Sequence, residues 1–241
     1  MRVLNWNTQW LGPRSHGERF TTAKALIASH DADVICLTEA RPETMPEASR
    51  TLTSEVSGAG NIENRGARKV VLWSRFGWSN IDALGSPHMP PGRFIMADTC
   101  CDNERWTIIG LCIPYHAYRT GDQWGEERLK AWEGACRFLD ALGKDLLPRL
   151  GACARMVILG DFNLQIPAFN YPYPHSEVNQ KRKATFEGWL IPTSGIRKNY
   201  IDHVAMTSDI SVESLRFISK IAEDGTRLSD HNGVVIDVAP A

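Results

Sequence analysis

The sequence lacks a surplus of charge of either sign: its 241 residues include 27 Lys and Arg against 28 Asp and Glu, a formal net charge of −1. A protein that coats long stretches of nucleic acid usually carries a basic surplus, so only a local basic patch is compatible with this composition. Apolar runs of the ~18 residues that a membrane span needs are also missing. Repeats, low-complexity tracts and a Pro/Gly/Ser-rich linker are absent as well, and we predict one domain over residues 1–241.

None of the six cysteines has a partner at the C-x-x-C spacing of a zinc site or a redox motif. Cys36 and Cys112 lie in apolar runs, where a free thiol behaves as a small hydrophobic side chain. We interpret all six as reduced. Together with the lack of an apolar signal-peptide core after Met1, this predicts a cytoplasmic protein.

Apolar residues make up 43% of the chain, enough for a sizeable core. Compact apolar runs predict strands at 2–7, 33–39, 69–74, 93–99, 106–113, 156–159, 201–207, 212–218 and 233–238. Apolar spacings of three and four residues predict helices at 19–30 and at 125–147, the second closed by Pro148. Residues 42–55 have helical character, and residues 165–183 are predicted to be a long loop. This mixture indicates an α/β fold with sheets in the middle and helices outside.

Polar residues stand at the ends of several predicted strands. They are Asn7, Glu39, Asp161, Asn163, Asp202, His203, Asp230 and His231. Ligands of α/β proteins gather where strands end in loops, because the sheet holds those ends rigidly. Taken singly, each residue has an ordinary interpretation as a turn residue or a solvated strand end. Their recurrence along the whole chain favours one shared site.

Five motifs occur in order from residue 5 to residue 231: Asn5-Trp6-Asn7, Leu37-Thr38-Glu39, Gly160-Asp161-Phe162-Asn163, Ile201-Asp202-His203 and Ser229-Asp230-His231. With them the chain resembles the endonuclease/exonuclease/phosphatase superfamily, which includes apurinic-site endonucleases, deoxyribonuclease-I-like enzymes, inositol polyphosphate phosphatases and neutral sphingomyelinases. The resemblance implies a divalent-metal-dependent phosphoester hydrolase. It also implies an α/β fold of a particular kind, a four-layered α/β sandwich with two packed mixed sheets flanked by helices.

The resemblance further implies a metal site. Glu39 would be the principal ligand, with Asn7 and Asp230 near the metal. Mg²⁺ or Mn²⁺ would suit these oxygen donors, since hard cations prefer carboxylate and amide oxygens.

Four residues would act on the phosphate and the attacking water. His231 would lie on the phosphate side, and Asp202 would fix its tautomer and favour the imidazolium. Asp161 would orient or deprotonate the water, and Asn163 would donate a hydrogen bond to a phosphate oxygen. Whether Asp161 or His231 is the base stays open, because the two groups are coupled through one site.

The sequence departs from the family pattern after the strand at 106–113. Cys112 stands where apurinic-site endonucleases have a Tyr that contacts the scissile phosphate. His116 or Tyr115 could substitute, although His116 also fits an ordinary surface loop. Arg93 is a second candidate for a phosphate contact, with a strand-edge arginine as the alternative.

The substrate class is open between two enzymatic hypotheses. Lys181, Arg182 and Arg197, with neighbouring lysines, could hold a DNA or RNA backbone, and the tract 169–173 could stack on unpaired bases or be a solvated loop. The neutral net charge favours instead a phosphatase or phosphodiesterase of a small molecule or lipid headgroup. The lipid hypothesis is weakened by the lack of an obvious amphipathic helix.

A non-catalytic binding module is disfavoured, because an unused cluster of buried carboxylates would only destabilise the fold. Nucleic acid is the first hypothesis, and a monomer is the default.

Overall fold

The computed structural model describes residues 1–58, 63, 66–117, 129–151, 155–168 and 174–241. The strands are β1 (Arg2–Asn7), β2 (Val34–Ala40), β3 (Thr51–Thr53), β4 (Arg68–Ser74), β5 (Ser79–Asp82), β6 (Phe94–Cys101), β7 (Glu104–Cys112), β8 (Arg155–Asp161), β9 (Asp202–Met206), β10 (Ile210–Ile218) and β11 (Gly233–Pro240). The helices are α1 (Pro13–Ser29), α2 (Glu133–Asp140), α3 (Leu147–Leu150) and α4 (Glu177–Thr185), and a π-helical segment, Ala141–Leu146, joins α2 to α3. Among the described residues, no helix is long and apolar enough to cross a membrane.

The strands form a six-stranded sheet in the order β10-β11-β1-β2-β4-β3 and a five-stranded sheet in the order β5-β6-β7-β8-β9. Alternate residues of a strand point to opposite faces. In β2, Val34 and Cys36 therefore pack between the two sheets, whereas Ile35 and Leu37 pack in the cluster that contains α1. A third apolar cluster joins α2 and α4 to the five-stranded sheet. Three apolar clusters thus separate four layers, and the predicted four-layered α/β sandwich is confirmed.

Three local predictions are wrong. Residues 42–55 form two short 3₁₀ turns followed by β3, because Met45 precedes a proline and is held in an extended conformation. The predicted loop at 165–183 contains most of α4, which begins after Ser176 and buries Val178 and Asn179. Pro148 lies in the first turn of α3, where a missing N–H is tolerated, so it does not close the helix before it. The described part of the helix predicted at 125–147 begins at Glu133.

The topology brings the polar strand ends to one end of the sandwich. β1 runs parallel to β2, so Asn7 and Glu39 lie at the same edge of their sheet. β9 runs antiparallel to β8 and begins where β8 ends, which places Asp202 opposite Asp161. β11 runs antiparallel to β1, so the residues before it, including His231, lie beside the end of β1. Residues far apart in sequence therefore meet there.

The two sheets are tied together directly beneath these strand ends. Asn5 is buried, and its Nδ2 donates to the carbonyls of Gly160 at 3.1 Å and of His203 at 3.3 Å. Gly160 has φ 153°, and a Cβ added there would lie 1.8 Å from the carbonyl oxygen of Leu111 on the neighbouring strand. Only glycine fits this position, because a backbone atom cannot move aside as a flexible side chain can.

We expect Gly160→Ala to lower the free energy of unfolding by at least about 2 kcal/mol, because the added methyl group forces β7 and β8 apart. Urea unfolding followed by circular dichroism measures the change. Ser79→Ala on the exposed strand β5 is the control, with an expected change within about 0.5 kcal/mol. Equal stability of the two variants would contradict the close approach of Gly160 to Leu111.

Candidate active site

The centre of the site is formed by Asp161, Asp202 and His231, one potential ligand atom of each lying within 4.8 Å of the others. The two aspartates are 2% and 1% exposed. His231 Nδ1 lies 2.6 Å from Asp202 Oδ2, and its Nε2 lies 3.7 Å from Oδ1 of the more exposed Asp230. The geometry therefore joins one imidazole ring to a buried carboxylate on one side and to a solvent-accessible one on the other.

The protonation of these groups follows from burial and mutual charge. Burial raises the pKa of Asp161 to about 7, and the negative charge of Asp202 adds to the effect. Burial also raises the pKa of Asp202. For His231, burial favours the neutral ring, but the hydrogen bond to Asp202 and the surrounding carboxylates together raise its pKa to about 10. Asp202 and His231 thus share one titratable proton, and the carboxylates of Asp202, Asp161 and Asp230 around the ring favour the imidazolium form.

Asp161 is oriented by two amide groups. Asn7 Nδ2 donates to Asp161 Oδ2 at 3.0 Å, and the backbone N–H of Asn163 donates to Asp161 Oδ1 at 2.8 Å. Asn163 adopts the left-handed conformation, φ 52°, and its Nδ2 donates to the carbonyl of Ile113 at 2.8 Å. The second Nδ2 hydrogen of Asn163 is the one that a phosphate oxygen would have to use.

The Ser229-Asp230-His231 motif is fixed to the first strand by a hydroxyl group. Ser229 Oγ donates to the backbone carbonyl of Asn7 at 2.7 Å and accepts the backbone N–H of His231 at 3.1 Å. The serine therefore sets the position of His231 relative to Asn7.

Glu39 adjoins this centre, and its negative charge contributes to the raised pKa values of Asp161 and Asp202. Its backbone has φ 47°, an uncommon conformation for a residue other than glycine. The backbone N–H of Trp10 and the hydroxyl group of Thr8 both donate to the carbonyl of Glu39, which holds it there.

The donor set fits a hard divalent cation. Asp161 and Asp202 place two buried carboxylates together, Glu39 adds a negative charge that acts on both, and the buried Oδ1 of Asp202 has no hydrogen-bond partner among the described residues. Such a concentration of buried negative charge calls for a cation. His231 is an unsuitable ligand because an imidazolium has no free lone pair.

The structure brings Arg93 to the edge of the site. Its side chain is buried, and its guanidinium donates to the carbonyl of Cys112 at 3.1 Å. Cys112 pairs with Asp161 across β7 and β8. His116 lies in the exposed segment after β7, where its ring packs against Tyr115 and Trp132 at 5.7 Å between ring centroids.

Two of the basic residues predicted to hold a substrate, Lys181 and Arg182, lie on the outer helix α4. Lys181 on α4 pairs with Asp140 on α2, in the outer helical layer. Arg182 is 6% exposed, and burial lowers its pKa, so it is closed to a substrate phosphate and the prediction for it is not supported. Arg197 is exposed, with its guanidinium 4.9 Å from the centroid of the Phe217 ring. The tract 169–173 lies outside the described residues.

Sequence reasoning missed Lys69, a buried lysine of β4. Its Nζ lies 2.7 Å from Glu39 Oε1. Strand pairing was the only signal that could have revealed it: Val70 pairs with Thr38 and Arg68 with Ala40, which places Lys69 opposite Glu39.

The model of the Endonuclease/Exonuclease/phosphatase family matches residues 4–231 of the chain. No curated protein matches the chain at a significant level. Among solved structures, the 3'-5' exonuclease NExo from Neisseria meningitidis superimposes with a TM-score of 0.69 at 17% identity, over 98% of this chain and 99% of that one. The human Nocturnin catalytic domain with bound sulfate anion gives 0.66 at 20% identity, over 100% and 93%. An AP endonuclease from Archaeoglobus fulgidus gives 0.67 at 14% identity, over 98% of each chain. At these identities the structural likeness shows the fold alone.

The raised pKa values predict that the metal-free protein loses stability between pH 5 and pH 9. Asp161, with a pKa of about 7, binds a proton in the folded state that the unfolded chain has already released, so its contribution is lost as the pH rises toward 7. His231 acts in the same direction, since its contribution is complete below its unfolded pKa of 6.5 and is lost as the pH rises through about 10.

We expect the free energy of unfolding to fall by about 2 kcal/mol or more over this range, on the scale of 1.4 kcal/mol per pKa unit per group. Urea unfolding in EDTA at pH 5, 7 and 9 measures it. Asp161→Asn, which removes one of the two groups, is expected to flatten the dependence. A stability that rises with pH over this range would show that the site is not charged as described.

Proposed function

Because the chain belongs to the endonuclease/exonuclease/phosphatase family, we propose that it is a divalent-metal-dependent phosphodiesterase that acts on nucleic acid. The fold of this family implies phosphoester hydrolysis, and its enzymes generally depend on a divalent metal. We propose three things for this chain beyond its family: a nucleic-acid substrate, dependence on a divalent metal, and the roles of the individual site residues.

The observation that supports the reaction is the convergence of Asp161, Asp202 and His231 with Glu39 at one end of the sandwich. Asp161, with a pKa of about 7, is suited to accept the proton of an attacking water near neutral pH. His231 already carries its proton, so it is suited to stabilise charge on the phosphate and not to act as the base. Of the two candidates for the base, Asp161 and His231, we therefore propose Asp161.

Glu39 would hold the metal, with Asp161 beside it and with Asn7 and Asp230 near it. When bound, a divalent cation such as Mg²⁺ or Mn²⁺ neutralises the phosphoryl group and stabilises the departing oxygen. Asn7 keeps the Asp161 carboxylate in place through its hydrogen bond, and Asp202 keeps His231 protonated and fixes the plane of its ring.

Nucleic acid is proposed as the substrate because two of the structural neighbours are a 3'-5' exonuclease and an AP endonuclease. A phosphatase or phosphodiesterase of a small molecule is the second candidate. It is favoured by the net charge of −1, by the pairing of Lys181 with Asp140 and by the burial of Arg182, which leaves that guanidinium closed to a phosphate backbone.

A substrate panel tests the proposal: plasmid DNA, single-stranded DNA, RNA, bis(p-nitrophenyl) phosphate and p-nitrophenyl phosphate, each with Mg²⁺, Mn²⁺ or EDTA. We expect hydrolysis of at least one nucleic acid and of the diester, with loss of activity in EDTA. Turnover of p-nitrophenyl phosphate alone would favour the small-molecule phosphatase. Full activity in EDTA would reject the metal-dependent mechanism.

Substitution of the proposed metal ligand and of the central histidine tests the site itself. We expect Glu39→Ala and His231→Ala each to lower kcat/KM by at least about 100-fold while the fold stays intact by circular dichroism. Glu43→Ala and His88→Ala, at exposed positions, are the matched controls and should keep full activity. Near-wild-type turnover by either site variant would show that the site is elsewhere.

A further inference from the structure

Lys69 is a buried cation beside the residue proposed to hold the metal. The residue is 8% exposed, and lysine is almost never buried unless it is paired. Its ammonium group contacts two partners: Glu39 Oε1 at 2.7 Å and the face of the Trp10 ring, 4.7 Å from the centroid. The side chain therefore lies between a carboxylate and an aromatic face, each of which attracts a positive charge.

Glu39 is held rigidly where the ammonium group meets it. The pairing of Thr38 with Val70 and of Ala40 with Arg68 places Glu39 opposite Lys69. The strained backbone of Glu39 is fixed by Trp10, whose N–H donates to the Glu39 carbonyl at 2.6 Å. The backbone of Trp10 thus positions the carboxylate-bearing residue, while its ring contacts the ammonium group that neutralises that carboxylate.

We propose that Lys69 is an internal counter-ion that competes with the divalent cation for Glu39, and that Trp10 retains the ammonium group when the metal displaces it. The inference rests on the metal site of the proposed function. Two cations cannot share one carboxylate without repelling each other at short distance. The lysine side chain can swing on its four-carbon stem, so the ammonium group can leave Glu39 while keeping its contact with the Trp10 ring.

The competition has a defined consequence for the metal-free protein. Lys69 neutralises Glu39 and so limits the repulsion among the carboxylates of Glu39, Asp161 and Asp202. The same contact weakens metal binding, because the metal has to replace a hydrogen bond between two charged groups. Lys69 is in this sense a positioning residue that sets the metal affinity of the site.

Mn²⁺ binding to metal-free protein tests the inference, with free Mn²⁺ measured by electron paramagnetic resonance. We expect Lys69→Met, which keeps the length and apolar stem of the side chain, to bind Mn²⁺ about tenfold more tightly than wild type, the scale of a hydrogen bond between charged groups. Lys69→Arg, which keeps the cation, should bind as wild type does. Equal or weaker binding by Lys69→Met would overturn the inference.

A second set of variants keeps the test decisive if Lys69→Met folds poorly. Trp10→Leu removes an aromatic face that attracts the ammonium group more strongly once Glu39 no longer pairs with it, so we expect about threefold weaker Mn²⁺ binding. In the double variant with Lys69→Gln, a neutral polar substitution used in place of Lys69→Met, the Trp10 effect should vanish, since no ammonium group remains to be retained. An effect of Trp10→Leu that is unchanged without Lys69 would count against the inference.

The coupling must also run through Glu39. In a Glu39→Gln background, Lys69→Met should no longer tighten Mn²⁺ binding, and a persisting gain would contradict competition for that carboxylate. If wild type binds Mn²⁺ and Lys69→Met does not bind it more tightly, the inference fails while the proposed metal dependence stands. If neither protein binds Mn²⁺, both fail.

Discussion

Two buried carboxylates that face each other across neighbouring strands dominate this structure. Asp161 and Asp202 end and begin paired strands, and both are removed from water. In such an environment two negative charges are tolerated only beside a cation. His231 supplies one positive charge through its 2.6 Å contact with Asp202, but burial and the charge of Asp202 still raise the pKa of Asp161, since this single charge does not offset both carboxylates. The remaining demand for a cation underlies both the proposed metal site and the position of Lys69 beside Glu39.

The fold places this charge where a substrate could reach it. Each sheet has a central parallel pair, β1–β2 and β7–β8, and the polar ends of both pairs lie at the same end of the sandwich. Below them the space between the sheets is apolar, and Asn5 crosses it by donating from β1 to the backbone of β8 and β9. The sheets thus act as a rigid support for the site. Burying the carboxylates lowers the stability of the fold, and this loss accompanies their fixed positions at the strand ends.

Local patterns in the sequence were sufficient for most strands and for the polar residues at their ends, whereas the four layers were implied by the resemblance to the family. Family membership, the sandwich and most strand positions are confirmed, whereas the single-domain organisation, the cytoplasmic location and the role of each site residue stay predictions. Asp202 and His203 show where the pattern of polar strand ends fails. The two residues are adjacent in the sequence, yet only Asp202 lies in the site. His203 instead hydrogen-bonds Thr193 and Leu164, and burial lowers its pKa to about 3. The importance of Lys69 and the burial of Arg182 depend on strand register and helix packing, which no local pattern encodes.

The charge state of His231 tests the account most directly. Long-range ¹H–¹⁵N correlation spectra of the metal-free protein, recorded from pH 5 to pH 10.5, report whether both ring nitrogens carry a proton. With Asp202 and Asp161 ionised or partly ionised around it, His231 should stay an imidazolium until the pH approaches about 10, and Asp202→Asn should return its pKa toward the ordinary value of 6.5. A wild-type His231 that loses its proton near pH 6.5 would contradict the electrostatic basis of the site.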